Sequence, residues 1–330
     1  MSVPTEPRTA GAVAGNGTAG AGAPAPHGTS ATATATADAT GPRQLHLQLW
    51  RGDADGGGFV DYEVPALEGE VVLDVVHRIQ AEHAPDLAVR WNCKAGKCGS
   101  CSAEINGKPR LMCMTRMSTL DTSQTITVSP MRAFPVMRDL VTDVSYNFVV
   151  AARIPPFTPG PPEPDGTYRM AQVDVDRGQE MRKCIECFLC QNVCHVIRDH
   201  EDNKPHYAGP RFFARLAELE MHPLDTLDRR RLVSEQLGLG LCNITKCCTE
   251  VCPEGIHITD NAIIPLKERV VDARYDPVAW LGRKLLRRPR PAPASAVAVD
   301  LPVARGAHDP TIDGRSDPAV LGRNGRRSDG

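Results

Sequence analysis

The chain has 330 residues, a formal net charge of −2, 41% hydrophobic residues and 5% aromatic ones. That length suits two domains of ordinary size, the near-neutral charge excludes a general bias toward nucleic acid, and no stretch approaches the roughly 20 apolar residues that span a bilayer. Twelve cysteines in a chain without a secretory signal exclude a disulfide framework and point to metal or redox chemistry.

Residues 1–42 are mostly Ala, Gly, Thr and Pro, with ATATATA at 31–37. Such a segment buries too little apolar surface to offset its ordering entropy, and is expected to be disordered. Arg8 is its one Arg or Lys, which argues against a basic transit peptide, so a cytosolic setting is expected. QLHLQLW at 44–50 alternates as a half-buried strand, DADGGG at 53–58 turns, and FVDYEVPAL at 59–67 returns. VVLDVVHRIQAEH at 71–83 puts Val72, Val75, Val76 and Ile79 on one helical face. After the loop CKAGKCGSC, a hairpin turns at Asn106-Gly107, and TITVSPM at 125–131 supplies a last strand. A small twisted sheet crossed by one helix, over 43–136, fits the plant-type ferredoxin fold, a β-grasp.

Cys93, Cys98, Cys101 and Cys113 follow C-x4-C-x2-C with a later fourth cysteine, the plant-type [2Fe–2S] spacing. Gly96 and Gly99 let the loop curl and aim N–H groups at sulfur, while the hairpin returns Cys113 to the other three. A four-cysteine zinc site is the competing reading, although such sites usually show paired C-x2-C arms.

Beyond Val136 the pattern becomes helical: 137–154 has helical spacing, a Pro-rich stretch interrupts at 154–166, and 179–199 is helical around a dense cysteine run. Cys184, Cys187, Cys190 and Cys194 give C-x2-C-x2-C-x3-C, a pattern whose fourth cysteine serves the other of two clusters. CNITKCCTEVCP at 242–253 aligns with the same template, with Thr245 at the second cysteine position. Cys252 then completes a [4Fe–4S] set with Cys184, Cys187 and Cys190. Cys194, Cys242 and Cys248 remain, three thiolates that predict [3Fe–4S]. Cys247 is left over, either as a free thiol packed near the cluster or as a fourth ligand making a second [4Fe–4S]; against the latter, adjacent helical residues point about 100° apart. The fold expected is therefore α+β: an N-terminal β-grasp [2Fe–2S] domain at 43–136, an all-α two-cluster domain at 137–285, and a disordered tail at 286–330.

This combination resembles the iron–sulfur subunits of succinate dehydrogenase and fumarate reductase (complex II) over about residues 43–285. The resemblance rests on CKAGKCGSC, INGKPRLMC, FPVMRDLVTD, RKCIECFLCQNVC, GPR at 209–211 and CTEVCPEGIHITDNAI. It implies a flavoprotein partner with covalent FAD that oxidises succinate, membrane anchor chains that bind quinone, and electrons passed singly through three clusters. It further implies peripheral attachment at the cytoplasmic face of the plasma membrane, no nucleic-acid partner, and no catalytic acid–base residues in this chain. Fumarate reductases share the motifs, so the reverse direction stands as the alternative. Where relatives often carry Pro, Trp and His, this chain has His195, Asp199 and Asn243. These changes beside the three-iron set lean toward menaquinone and make His195 and Asn243 candidate quinone neighbours; the plainer role for His195 is a solvated or cluster-packing side chain.

The run RKLLRRPR at 283–290 reads as a solvated basic tail, with contact to anionic lipid as the alternative. HPLDTLDRRR at 222–231 reads as an exposed helix start. A zinc-stabilised interaction module without redox function is the competing class, as is, among enzymes, a thiol-linked fumarate reductase.

Overall fold

The computed structural model describes residues 44–286 and 292–294. The extension at 1–42 and most of the tail, including the basic run beyond Leu286, lie outside the described residues.

Two ten-residue strands, β1 (Gln44–Asp53) and β2 (Gly56–Pro65), pair antiparallel in unbroken register from Gln44–Pro65 to Asp53–Gly56. Leu45, Leu47 and Leu49 are buried on alternate positions, and each such side chain is worth about 1.5–3 kcal/mol of burial. Helix α1 (Val72–Glu82) lays Val72, Leu73, Val75, Val76 and Ile79 into the same core. Its start is fixed by Asp74, whose carboxylate accepts the Val71 N–H at 3.2 Å. β3 (Ser102–Ile105) and β4 (Lys108–Leu111) form the expected hairpin, with Asn106 and Gly107 at φ +50° and +70°, the left-handed pair that a two-residue turn needs. β5 (Ile126–Ser129) lies between β3, antiparallel, and β1, parallel.

The chain does not then turn helical at once, as the spacing suggested. β6 (Val136–Arg138) and β7 (Val141–Thr142) add a short ribbon, and only Ser145–Ala152 forms a helix, α2. The reason is Asp139, buried at φ +47°: its carboxylate accepts from Arg51 Nε at 3.0 Å, from the Gly52 N–H at 3.0 Å and from the Ala88 N–H at 2.8 Å. Three tertiary bonds outweigh a local helical period.

The rest is helical in short pieces: α3 (Gln172–Arg182), α4 (Leu189–Val193), α5 (His195–Arg198), α6 (Pro210–Glu220), α7 (Cys247–Glu250), α8 (Ile264–Tyr275) and α9 (Pro277–Leu286). Phe212, Phe213, Leu216 and Ala217 of α6 are buried against the wide turn Ile258–Ile263, where Ala262 and Ile263 are buried in turn. The cysteine run at 184–194 is not one helix. Glu186 and Phe188 stand at φ +56° and +59°, so the backbone reverses hand and bends into a loop before α4.

Residues 222–231 are not an exposed helix either. Asp225 and Arg229 pair at 2.8 Å with side chains 1% and 0% exposed, and Arg229 donates to the carbonyls of Pro155 and Pro156 at 3.3 and 2.7 Å. The Pro-rich stretch offers carbonyls without N–H partners of its own, and a buried guanidinium satisfies them. The adjoining β8 (Leu227–Asp228) pairs parallel with β9 (Ala292–Pro293).

Sheet and helical regions meet along a closely packed seam. The Ser102 hydroxyl lies 2.9 Å from the Cys187 carbonyl. Asn192, fully buried, donates to Glu104 Oε1 at 2.9 Å and accepts the Ala133 N–H at 3.0 Å. Gly99 sits at φ +68°, and a Cβ there would lie 2.6 Å from Cys187 Cα, so both hand and space require glycine. Among the described residues, no helix is long and apolar enough to cross a membrane.

Candidate iron–sulfur centres

Cys93 and Cys98 stand on the exposed loop between α1 and β3, while Cys101 and Cys113 are buried beneath it. The loop's backbone is already turned to sulfur: the Ala95 and Lys97 N–H groups reach Cys93 Sγ at 3.4 and 3.3 Å, and the Cys93 N–H reaches Cys98 Sγ at 3.5 Å. The Cys113 N–H reaches Cys101 Sγ at 3.4 Å. Burial works against the Cys98 thiolate, but hydrogen bonds from Ser100 and Cys93 prevail and bring its pKa down to about 6. Cys101 shows the opposite balance, pushed up to about 12 by burial and by Cys113 and Cys98 nearby. All four predicted residues thus meet at one place.

The second set comes from two distant segments. Cys184, Cys187, Cys190 and Cys252 line a single, largely apolar cavity, together with Arg211. Burial pushes Cys187 up to about 12, with Cys184 and Cys252 adding to it, and Cys190 higher still. One N–H···S bond, from Ile256 to Cys252 at 3.4 Å, touches this set. An enclosed four-thiol cavity fits a multi-iron core. Single tetrahedral zinc, with Zn–S of about 2.3 Å, needs tighter convergence, and among the described residues no three His, Cys, Asp or Glu side chains gather closely enough to hold one ion.

Tyr207, buried to 1%, marks the third set. Burial, then the nearby Cys194, Cys242 and Cys248, drive its pKa far above the ordinary phenol value, and its hydroxyl lies 3.6 Å from Cys194 Sγ. Cys248 Sγ lies 3.4 Å from Thr259 Oγ1. Thr245 stands exposed at the position a fourth thiol would take, with Cys247 Sγ 3.3 Å away. Cys247 is half-buried and acts electrostatically on both Cys194 and Cys248, so adjacency in α7 does not carry it away from the set. Ile244 and Lys246 flank Thr245 at φ +63° and +62°. His195 is half-buried at the start of α5, and Asn243 is exposed on the loop before α7.

Sequence reasoning missed Tyr207, Thr259, Ser102 and Arg211. Arg211 left a signal: it occupies the first turn of α6, where the helix dipole disfavours a cation. A local rule broken without local gain marks a position selected for another purpose.

Two family models match, a 2Fe–2S iron–sulfur cluster binding domain over residues 46–149 and a 4Fe–4S dicluster domain over 180–256. A fumarate reductase iron–sulfur subunit of Mycobacterium tuberculosis is 34% identical over 60% of this chain and 80% of its own. The succinate dehydrogenase iron–sulfur subunit of Bacillus subtilis is 31% identical over 52% of this chain and 68% of its own. Three methanogen iron–sulfur proteins are longer, and the chain spans 40–43% of their lengths. Among solved structures, a chain of the Mycobacterium smegmatis Sdh1 complex in the apo form is 66% identical, with a TM-score of 0.70, over 72% of this chain and all of that one.

Proposed function

The chain belongs to the family of succinate dehydrogenase and fumarate reductase iron–sulfur subunits, and from that premise we propose that it carries electrons between a flavoprotein subunit and quinone in a succinate:quinone oxidoreductase. It is an electron-transfer component of a multi-subunit oxidoreductase complex. When bound, iron–sulfur clusters supply reversible one-electron chemistry. The observation that carries the proposal is the convergence of Cys184, Cys187 and Cys190 with Cys252 on one cavity.

Each thiol set has its own task. Cys93, Cys98, Cys101 and Cys113 hold a [2Fe–2S] core against a loop whose N–H groups favour negative sulfur. Cys184, Cys187, Cys190 and Cys252 hold [4Fe–4S] away from water. Cys194, Cys242 and Cys248 hold [3Fe–4S], with Tyr207 and Thr259 placed to donate to sulfur. His195 and the exposed Asn243 border this third set and would face quinone in a membrane anchor, with the flavoprotein near the first set and the assembly at the cytoplasmic face of the membrane. The two cluster-binding regions divide near residue 136, as the change from sheet to helix supports.

EPR of the anaerobically purified complex tests this. Signals from two-, four- and three-iron clusters, with reduction of the two-iron and three-iron centres after succinate is added, are expected. A colourless, zinc-loaded protein would overturn the proposal. The fumarate-reducing direction is favoured instead if quinol drives fumarate reduction faster than succinate reduces quinone.

A further inference from the structure

Arg211 is the one cationic side chain lining the four-thiol cavity. It is 12% exposed, and its Nη2 donates to Glu186 Oε1 at 2.6 Å, a residue that sits between Cys184 and Cys187 in the loop. Its Nε is buried and has no hydrogen-bond partner in the protein. A guanidinium keeps its proton at any ordinary pH, and a buried N–H without an acceptor costs free energy that a folded protein rarely tolerates. The cavity wall offers sulfur as the missing acceptor.

Resting on the assignment of Cys184, Cys187, Cys190 and Cys252 to a [4Fe–4S] site, we propose that Arg211 is a positioning residue that sets the reduction potential of that cluster. Its Nε–H donates to a cluster or cysteine sulfur, and its charge lies beside a group that becomes more negative with each electron. Both effects favour the reduced form, because hydrogen bonds to sulfur and local net charge are what tune such centres. Glu186 plays the opposite part: it orients the guanidinium fork from the outer side, and its carboxylate offsets some of the positive charge. The side chain at 211 therefore adjusts how readily this centre accepts an electron relative to the two on either side of it.

The test is an EPR-monitored redox titration of the intact, anaerobically purified complex. Arg211→Gln should lower the four-iron midpoint by at least the equivalent of a tenfold change in the reduction equilibrium, about 59 mV for one electron. Arg211→Lys, which keeps charge but not the planar fork, should lower it by less, and Glu186→Gln should raise it. Midpoints of the two-iron and three-iron centres should stay in place, as internal standards. An unmoved four-iron midpoint in Arg211→Gln overturns the role. If that variant loses the cluster, unmoved midpoints in both Arg211→Lys and Glu186→Gln overturn it. Absence of any four-iron signal in the unsubstituted complex refutes the underlying site instead, so the two failures are distinct.

Discussion

The exposed thiol loop of the sheet region and the buried thiol sets of the helical region solve one problem in opposite ways. The loop prepares for negative sulfur in advance: several N–H groups already point at Cys93 and Cys98, and the Cys98 thiol falls to about 6. The helical sets instead surround their thiols with apolar groups, and Cys187 and Cys194 rise to about 12 and 11. Three pKa units correspond to about 4 kcal/mol against an uncompensated thiolate at Cys187. One site is preorganised by backbone; the other depends on the metal core itself to accept the charge.

The sharpest way to break this comparison is to remove iron. The sheet region rests on ten-residue strands and a continuous aliphatic core, whereas α4, α5 and α7 have five, four and four residues and cannot persist alone. Anaerobic chelation should abolish amide-exchange protection across 184–258 while leaving β1, β5 and α1 protected; uniform loss in both regions would refute the contrast.

A smaller change tests the third set. Thr245→Cys should replace the three-iron EPR signal seen on oxidation with a four-iron centre that is EPR-silent when oxidised, and an unchanged signal would displace Thr245 as the missing ligand position. Smaller again, Gly99→Ala strains a left-handed position and presses on Cys187 at the seam. It should cost about 1–3 kcal/mol, read as a lowered Tm with iron content retained.

The mildest test uses pH on iron-free protein. Cys98, whose pKa is lowered in the folded state, should be alkylated with a half-maximal rate near pH 6; its stabilising contribution is present above the unfolded thiol pKa and declines as pH falls through 6. Cys187, raised in the folded state, contributes stability below about pH 9 that is lost as pH rises through 12. Apo protein should therefore lose stability above pH 9. A denaturation midpoint that is flat from pH 9 to 11 would contradict the burial argument.

Much of this was readable from residue order. The alternation of Leu45, Leu47 and Leu49, the amphipathic face of α1 and the Asn106-Gly107 turn are local patterns, and local patterns survived folding. The cysteine spacing also carried the grouping of ligands across sixty residues, because cluster geometry constrains spacing so tightly. What the sequence hid was set by partners far away in the chain. Asp139 draws a helical-looking segment into strands through Arg51, Gly52 and Ala88, and Arg229 enters the core to serve Pro155 and Pro156. Tyr207 and Arg211 belong to no repeating pattern, and their importance lies only in which sulfur they approach.

Asn192 has a last consequence. Its amide is wholly enclosed, with the nitrogen committed to Glu104 and the oxygen to the Ala133 N–H, both on the opposite side of the seam. Sliding by a single residue would orphan both ends at once, at about 1–3 kcal/mol each. The two halves consequently move as one rigid body, with no hinge or shear plane between them. Any gate on electron flow must therefore be sought where this rigid conduit touches its neighbours, not within it.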